Sequence, residues 1–250
     1  MAEKKSFWTT LPGILTGIAA VITALTAGYI ALNQSHKDAI LPGAQPELPP
    51  SATTKANSPA DWPLIAEETF TKKPSGWSIG NFPTKDTPRF DLRLVDGKYR
   101  WDIEYSKKWH RWIICPIGSA INFNIAVDVK LIESADNTAV SLIFSSAGDK
   151  HYIFNISANR YFGLNKSNAA KTPQVIIDWT PITTEFNPRD WNTMRVVVDN
   201  QLIKLYLNSD LLGEYRDIEF TGGKVGLGVS IYQKGVAVVD FDNLQFRRKP

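Results

Sequence analysis

The chain has 250 residues, a formal net charge of +3 and a single cysteine, and 43% of its residues are hydrophobic. One cysteine excludes an internal disulfide framework and a cysteine-based zinc site. The net charge is weak, and the sequence lacks the concentrated basic stripe of nucleic-acid-binding proteins. We therefore expect no nucleic-acid partner.

Residues 7–32 contain no side chain that is charged at neutral pH. As a helix rising about 1.5 Å per residue, they would extend about 39 Å, which exceeds the roughly 30 Å hydrocarbon core of a bilayer. A cleaved signal peptide is the alternative, but its apolar region is only about 7 to 15 residues long. We therefore predict an uncleaved, single-pass transmembrane helix over residues 7–32.

Charges beside this segment predict its orientation. Lys4 and Lys5 precede it, whereas Lys37 follows it next to Asp38. The positive-inside rule then places residues 1–6 in the cytoplasm and the rest of the chain outside. The sequence thus predicts a protein of the plasma (inner) membrane with an extracytoplasmic C-terminal part.

Small residues recur along the predicted helix at Gly13, Gly17 and Ala24. Such a stripe lets a second helix approach closely, so self-association through it is a hypothesis. Glycine and alanine are also common in helices that cross the membrane alone, and a monomer remains the alternative.

The composition changes twice beyond the predicted helix. Residues 33–61 are rich in proline, alanine, serine and threonine, which predicts an extended linker. Residues 62–250 are long enough for one well-buried domain.

Apolar and polar residues alternate through much of residues 62–250. In one run Phe123, Ile125 and Val127 alternate with Asn124 and Asp128. Similar runs are separated by turn-forming pairs such as Asp-Gly, and none of them has helical periodicity. Roughly a dozen short strands joined by hairpins predict an all-β, antiparallel two-sheet sandwich.

The same region carries a series of short motifs: DGKYRW at 96–101, DWTP at 178–181, WN at 191–192, LYLN at 205–208 and FDN at 241–243. In this order they resemble the concanavalin A-like lectin/glucanase superfamily, specifically bacterial extracytoplasmic domains related to laminin G-like and 3-keto-disaccharide hydrolase-like modules. The resemblance implies a jelly-roll sandwich. It does not select a function, because such domains include sugar binders, protein binders and glycosidases.

The sequence offers little support for catalysis. Retaining glycosidases need two carboxylates about 5 to 5.5 Å apart, and the E-x-D-x-x-E string usual in this superfamily is absent. The nearest pair, Asp102 and Glu104, lacks a third acid, and there is no G-x-S-x-G nucleophile elbow. A glycan-active hydrolase is therefore the third of our functional hypotheses.

We expect no cofactor, and calcium is the alternative. Laminin G-like and lectin relatives often hold this ion, and Asp240 and Asp242 offer hard oxygen ligands. They lack the glycine-spaced acid loop of a dedicated site, and an Asp-Asn pair that ends a strand commonly just caps a turn.

Tryptophan is the residue type that points to a ligand. The chain has eight, and all but Trp8 lie in the predicted domain. Sugar rings stack on aromatic faces while polar neighbours bond their hydroxyl groups, although tryptophans also fill sandwich cores. The predicted carbohydrate-binding residues are Trp101, Asp102, Trp109, His110, Arg111, Trp112 and Trp179.

These observations give a first hypothesis of a membrane-anchored extracytoplasmic module that binds glycan or envelope polysaccharide. A protein-interaction module that scaffolds a membrane assembly is the second.

Overall fold

A computed structural model describes residues 58–168, 173–217, 219 and 222–250, with the backbone alone at Trp109. Residues 1–6, the segment 7–32 with its small-residue stripe, and most of the linker 33–61 lie outside this part. The transmembrane helix and its self-association therefore stay predictions. Within the described ranges no helix is long and apolar enough to cross a membrane. Pro59–Asp61 form a short 3-10 helix.

Fifteen strands make up most of the described chain. In order they are β1 Leu64–Glu68, β2 Gly80–Asn81, β3 Arg89–Val95, β4 Lys98–Tyr105, β5 Trp109–Ser119, β6 Phe123–Ser134, β7 Thr138–Ala147, β8 Lys150–Ser157, β9 Tyr161–Asn168, β10 Gln174–Pro181, β11 Asn192–Asp199, β12 Leu202–Leu207, β13 Asp210–Arg216, β14 Lys224–Ile231 and β15 Gly235–Arg248.

The strands form two antiparallel sheets. The nine-stranded sheet has the order β13-β12-β11-β6-β15-β4-β3-β2, with β1 also paired to β15. The six-stranded sheet has the order β10-β9-β8-β7-β14-β5. Residues from both sheets share one hydrophobic core. The structure thus confirms the all-β, two-sheet sandwich.

The predicted alternation correctly identified the side chains of this core. The residues expected on inner faces are buried, and they include Phe123, Ile125, Val127, Val140, Leu142, Phe144, Tyr152, Phe154, Ile156, Met194, Val196, Val198, Ile203, Leu205 and Leu207. Short turns join the strands, and the Asp96-Gly97 turn between β3 and β4 has positive φ at both residues, a conformation that glycine adopts readily.

A buried ion pair also joins the two sheets. Lys166 of β9 places its Nζ 2.7 Å from an oxygen of Asp217, which directly follows β13. A second carboxylate, Glu219, lies 2.5 Å from the same nitrogen. Burial opposes the charge, but these partners raise the pKa of Lys166.

The six-stranded sheet departs from simple alternation in its centre. Strands β7, β8 and β14 are buried along almost their whole length, on both faces. Their outer face therefore does not behave like an ordinary solvated sheet surface.

Candidate ligand-binding groove

A groove lies on the outer face of the six-stranded sheet. It consists of two adjoining cavities of about 510 Å³ and about 230 Å³, which share Trp179 and Tyr232. The larger cavity is also lined by Lys108, His110, Ile153, Asn155, Asn165, Pro173 and Ser230. The smaller is also lined by Asn137, Ser157, Asn159 and Tyr161.

The floor of the groove is a row of hydrogen-bonded polar side chains on successive strands. His110 Nδ1 of β5 lies 2.5 Å from Ser230 Oγ of β14. Ser230 Oγ lies 3.5 Å from Ser141 Oγ of β7, and Ser141 donates to Asn155 Oδ1 of β8 at 2.7 Å. Each of these residues alternates with core-facing neighbours on its strand, so all four side chains point away from the core.

The histidine of this floor is neutral at ordinary pH. Burial, together with the nearby His151, lowers the pKa of His110 to about 4. Its Nε2 is buried and has no hydrogen-bond partner among the described residues. An unmet buried polar atom is costly, but this nitrogen is enclosed, so a bound ligand could satisfy it only after neighbouring side chains move.

Two aromatic rings form the wall between the cavities. Trp179 of β10 remains 37% exposed, and its ring meets Tyr232 edge to face at a centroid distance of 5.8 Å. A Cβ at Gly163 of β9 would lie 3.6 Å from the indole carbon Cε3. This is an ordinary van der Waals distance, so the indole packs over β9 at this glycine.

Another aromatic pair occupies the same face. Trp112, two residues after His110 on β5, has its ring centroid 5.0 Å from that of His151 on β8. To reach it, Trp112 passes Gly228 of β14, where an added Cβ would lie 3.1 Å from the Trp112 Cβ. The glycine thus makes space for the indole beside the floor.

Of the predicted ligand-binding residues, the structure brings His110 and Trp179 together in the groove. Trp112 lies on the same face of the sheet, in contact with His151. The Trp109 side chain lies outside the described structure, although its backbone begins β5.

The other three predicted residues do not belong to this groove. Trp101 is 0% exposed in the core and has no face to offer a ligand. Asp102 lies on the nine-stranded sheet, 2.9 Å from Arg89 Nε. Arg111 points to the opposite face of β5 from His110, with its guanidinium 5.0 Å from the centre of the Phe90 ring.

The calcium candidates are each paired with a cation. Asp240 accepts two hydrogen bonds from Arg100, at 2.6 and 2.7 Å, and Asp242 lies 2.5 Å from Lys98 Nζ. No cluster of three or more histidine, cysteine or acidic residues able to hold a metal occurs among the described residues.

Sequence reasoning missed most of the groove. The lining residues that were not predicted include Lys108, Ile153, Asn155, Asn165, Ser230 and Tyr232. A usable signal was present, because Ser141, Asn155 and Ser230 are polar residues inside runs that otherwise read as buried strands.

Comparisons by sequence and by structure differ in outcome. No family model matches the chain, and no curated protein matches it. Solved structures do match. The β-glucanase of Bacillus licheniformis is 10% identical with a TM-score of 0.55, covering 74% of this chain and 98% of its own.

Two further structures give the same result. A Bacillus subtilis protein of unknown function with a galectin-like fold is 12% identical with a TM-score of 0.54, covering 74% of this chain and 95% of its own. The κ-carrageenase of Pseudoalteromonas carrageenovora, in complex with a κ-carrageenan oligosaccharide, is 10% identical with a TM-score of 0.51, covering 80% and 98%. At these identities the likeness shows the fold, a β-sandwich of the galectin and β-glucanase type.

Proposed function

We propose that this protein is a carbohydrate-binding module that takes a glycan chain into the groove between His110 and Trp179. The observation that carries the proposal is an exposed indole beside a floor of neutral hydrogen-bonding side chains. Sugar rings stack on aromatic faces, and their hydroxyl groups both donate to and accept from serine, asparagine and neutral histidine. The two cavities share Trp179 and Tyr232 as a wall, which suits an extended ligand that passes over both rings.

Fold neighbours add support of a general kind. The β-glucanase and the κ-carrageenase are named for glycans. Their likeness to this chain is in fold alone, so the choice of a sugar ligand depends on the groove itself.

Binding is better supported than hydrolysis. None of the groove-lining residues that the structure describes is an aspartate or a glutamate. Glycoside hydrolysis by the usual mechanism needs two carboxylates flanking the bond. The lining groups instead offer hydrogen bonds and apolar contact, which hold a ligand without breaking it.

The proposal also includes the location of the module. Residues 7–32 would hold it at the plasma membrane with residues 62–250 outside, and the linker 33–61 would let it reach neighbouring polysaccharide. Support for this part comes from the apolar segment and the flanking lysines.

Replacing Trp179 with alanine tests the proposal. Loss of the stacking face should weaken retention on the bound glycan by about tenfold, because aromatic stacking contributes on the order of 1 kcal/mol or more. The melting temperature should change little, since the indole is 37% exposed. Glycan-array binding of the full-length protein in non-ionic detergent would identify the ligand. Titration with that ligand would then measure the affinities of the wild type and of Trp179→Ala.

Trp191→Ala is the matched control. Trp191 is 40% exposed, but it lies beneath Lys98 of the nine-stranded sheet, away from the groove. We expect this variant to bind as the wild type does. Equal losses in both variants, or a blank array together with a reproducible protein partner, would favour the scaffold hypothesis instead.

A further inference from the structure

We propose that the groove selects an anionic saccharide, with Lys108 contacting the acidic group of the ligand. This inference rests on the proposed glycan-binding function and specifies the chemical class of the glycan. Carboxylate groups, as in uronates, and sulfate esters are the two sources of such a charge that the experiment below compares.

The formal charge of the groove points to this class. Among its described lining residues Lys108 is the only one with a full charge, because the polar floor consists of serine, asparagine and a neutral histidine. A cation beside described lining residues that include no carboxylate creates a positive potential in the groove. This potential favours the binding of a negatively charged ligand.

Lys108 is also free to meet a ligand. No carboxylate oxygen lies within 4.0 Å of its Nζ among the described residues, whereas the neighbouring Lys107 lies 3.0 Å from Asp86. The side chain of Lys108 is nevertheless placed, since its Nζ lies 5.1 Å from the centre of the Tyr232 ring. A cation held by an aromatic ring keeps its charge and its hydrogen-bond donors.

The position of this ring connects the charge to the stacking surface. Tyr232 contacts Trp179 edge to face at 5.8 Å, so the ammonium group and the exposed indole both contact the same tyrosine ring. A sugar ring stacked on Trp179 would therefore belong to a chain that passes close to Lys108. The geometry suits a glycan in which the acidic group is on the stacked sugar ring or on the next one along the chain.

The buried histidine contributes a further polar group to such a site. Ser230 contacts two other residues of the groove: its side chain bonds to Tyr232, and its Oγ lies 2.5 Å from His110 Nδ1. When the serine hydroxyl donates to Nδ1, the neutral ring carries its proton on the unpartnered Nε2. That nitrogen is enclosed, so it would donate to a ligand oxygen only after neighbouring side chains move, and the neutral ring adds no second charge.

Affinity electrophoresis with matched polysaccharides tests this inference. The full-length protein in non-ionic detergent is run through native gels that contain polygalacturonate or its methyl ester, carboxymethyl cellulose or hydroxyethyl cellulose, and dextran sulfate or dextran. At about 0.15 M salt, where remote charges are screened, we expect the charged member of at least one pair to retard the wild type more strongly.

Lys108→Met separates charge from stacking. It should lose about threefold to fivefold in affinity for the charged polysaccharide, as expected for one partly exposed ion pair, and keep its affinity for the neutral partner. Lys107→Met removes the same charge from the adjacent residue and should behave as the wild type. Trp179→Ala should lose affinity for both members.

Two results would overturn the selection of an anionic ligand while leaving glycan binding intact. One is Trp179-dependent retention that is equal for both members or stronger for the neutral one. The other is an equal loss in the two lysine variants, which would reveal non-specific attraction to polyanions. If none of the polysaccharides retards the protein, or if retention does not depend on Trp179, the proposed function fails as well.

Discussion

His110 illustrates how a single buried side chain sets the properties of the groove. It lies in the floor, bonded through Nδ1 to Ser230, and burial holds its pKa near 4. The site therefore stabilises the uncharged ring, which neither repels a cation nor attracts an anion. Hydrogen bonding is left as its means of recognition.

The lowered pKa predicts that acid destabilises the fold. The unfolded chain takes up a proton at about pH 6.5 and the native histidine only at about pH 4. The stabilisation of the neutral form is thus complete above pH 6.5 and is lost as the pH falls towards 4. Between pH 7 and pH 5 this one residue should lower the free energy of unfolding by about 2 kcal/mol.

Urea denaturation of the wild type and of His110→Gln at the two pH values measures this effect. The amide can still contact Ser230 but does not titrate, so the loss between pH 7 and pH 5 should be smaller in the variant by about that amount. Burial lowers the pKa of His151 too, which leaves part of the wild-type dependence in place. An unchanged dependence in the variant would contradict the assignment.

Alternation along the strands was not applied to the predicted ligand-binding residues, and three of them lie away from the groove. In β4, Trp101 lies in the same phase as Ile103 and Tyr105, which places its ring in the core. Asp102 shares the opposite phase with Arg100. In β5, Arg111 likewise alternates with His110 and shares its phase with the buried Cys115, so its side chain points away from the groove. The period of two that revealed the strands thus also held the information that these residues lie away from the groove.

At the scale of elements, β14 holds the groove sheet together. It lies between β5 and β7, and two glycines, Gly226 and Gly228, allow its neighbours to approach. A Cβ at Gly226 would lie 2.5 Å from the carbonyl oxygen of Ile113 on β5. This contact involves backbone, which cannot move aside without disturbing the strand pairing.

Gly226→Ala should therefore destabilise the domain by about 2 kcal/mol, the range found for overpacked cores. Thermal denaturation followed by circular dichroism measures it. Gly235→Ala is the matched control, because the nearest atom to its added Cβ would be the Ala135 Cβ at 3.7 Å. A similar fall in melting temperature for both variants would show that the close contact at Gly226 is not the cause.

The strands could be predicted from the sequence, whereas the groove could not. Strands depend on local alternation, which is visible in a run such as that of β6. The groove instead combines residues from β5, β8, β9, β10 and β14, which adjoin only after the sheet has formed. The inner residues of β7 and β8 followed the period of two, but burial on both faces of β7, β8 and β14 means that alternation alone does not show that their outer side chains line a groove.

At the scale of the whole molecule, membrane attachment and ligand binding are assigned to different parts of the chain. The sandwich supplies the groove, and the segment supplies the predicted attachment to the membrane. Nothing in the groove requires the attachment, so the two parts can be tested independently.

Deleting residues 7–32 should release the protein from the membrane. Expressed in a bacterium, the full chain should remain in the membrane pellet after an alkaline carbonate wash, whereas the deletion variant should appear in the supernatant. Immunoblotting of the two fractions measures the distribution. Full-length protein in the carbonate supernatant would show that the segment does not span the bilayer.

The pairing of β15 has a consequence for the order of events during synthesis. This strand contacts β1, β4 and β6, and residue Leu244 near its end pairs with Glu68 near the start of the domain. The nine-stranded sheet therefore cannot close until the last strand is available, however early its other strands are made. Such distant pairing predicts slow folding that begins late, after nearly the whole domain has left the ribosome. If the domain is exported as proposed, the chain would cross the membrane unfolded and the sandwich would close only on the far side.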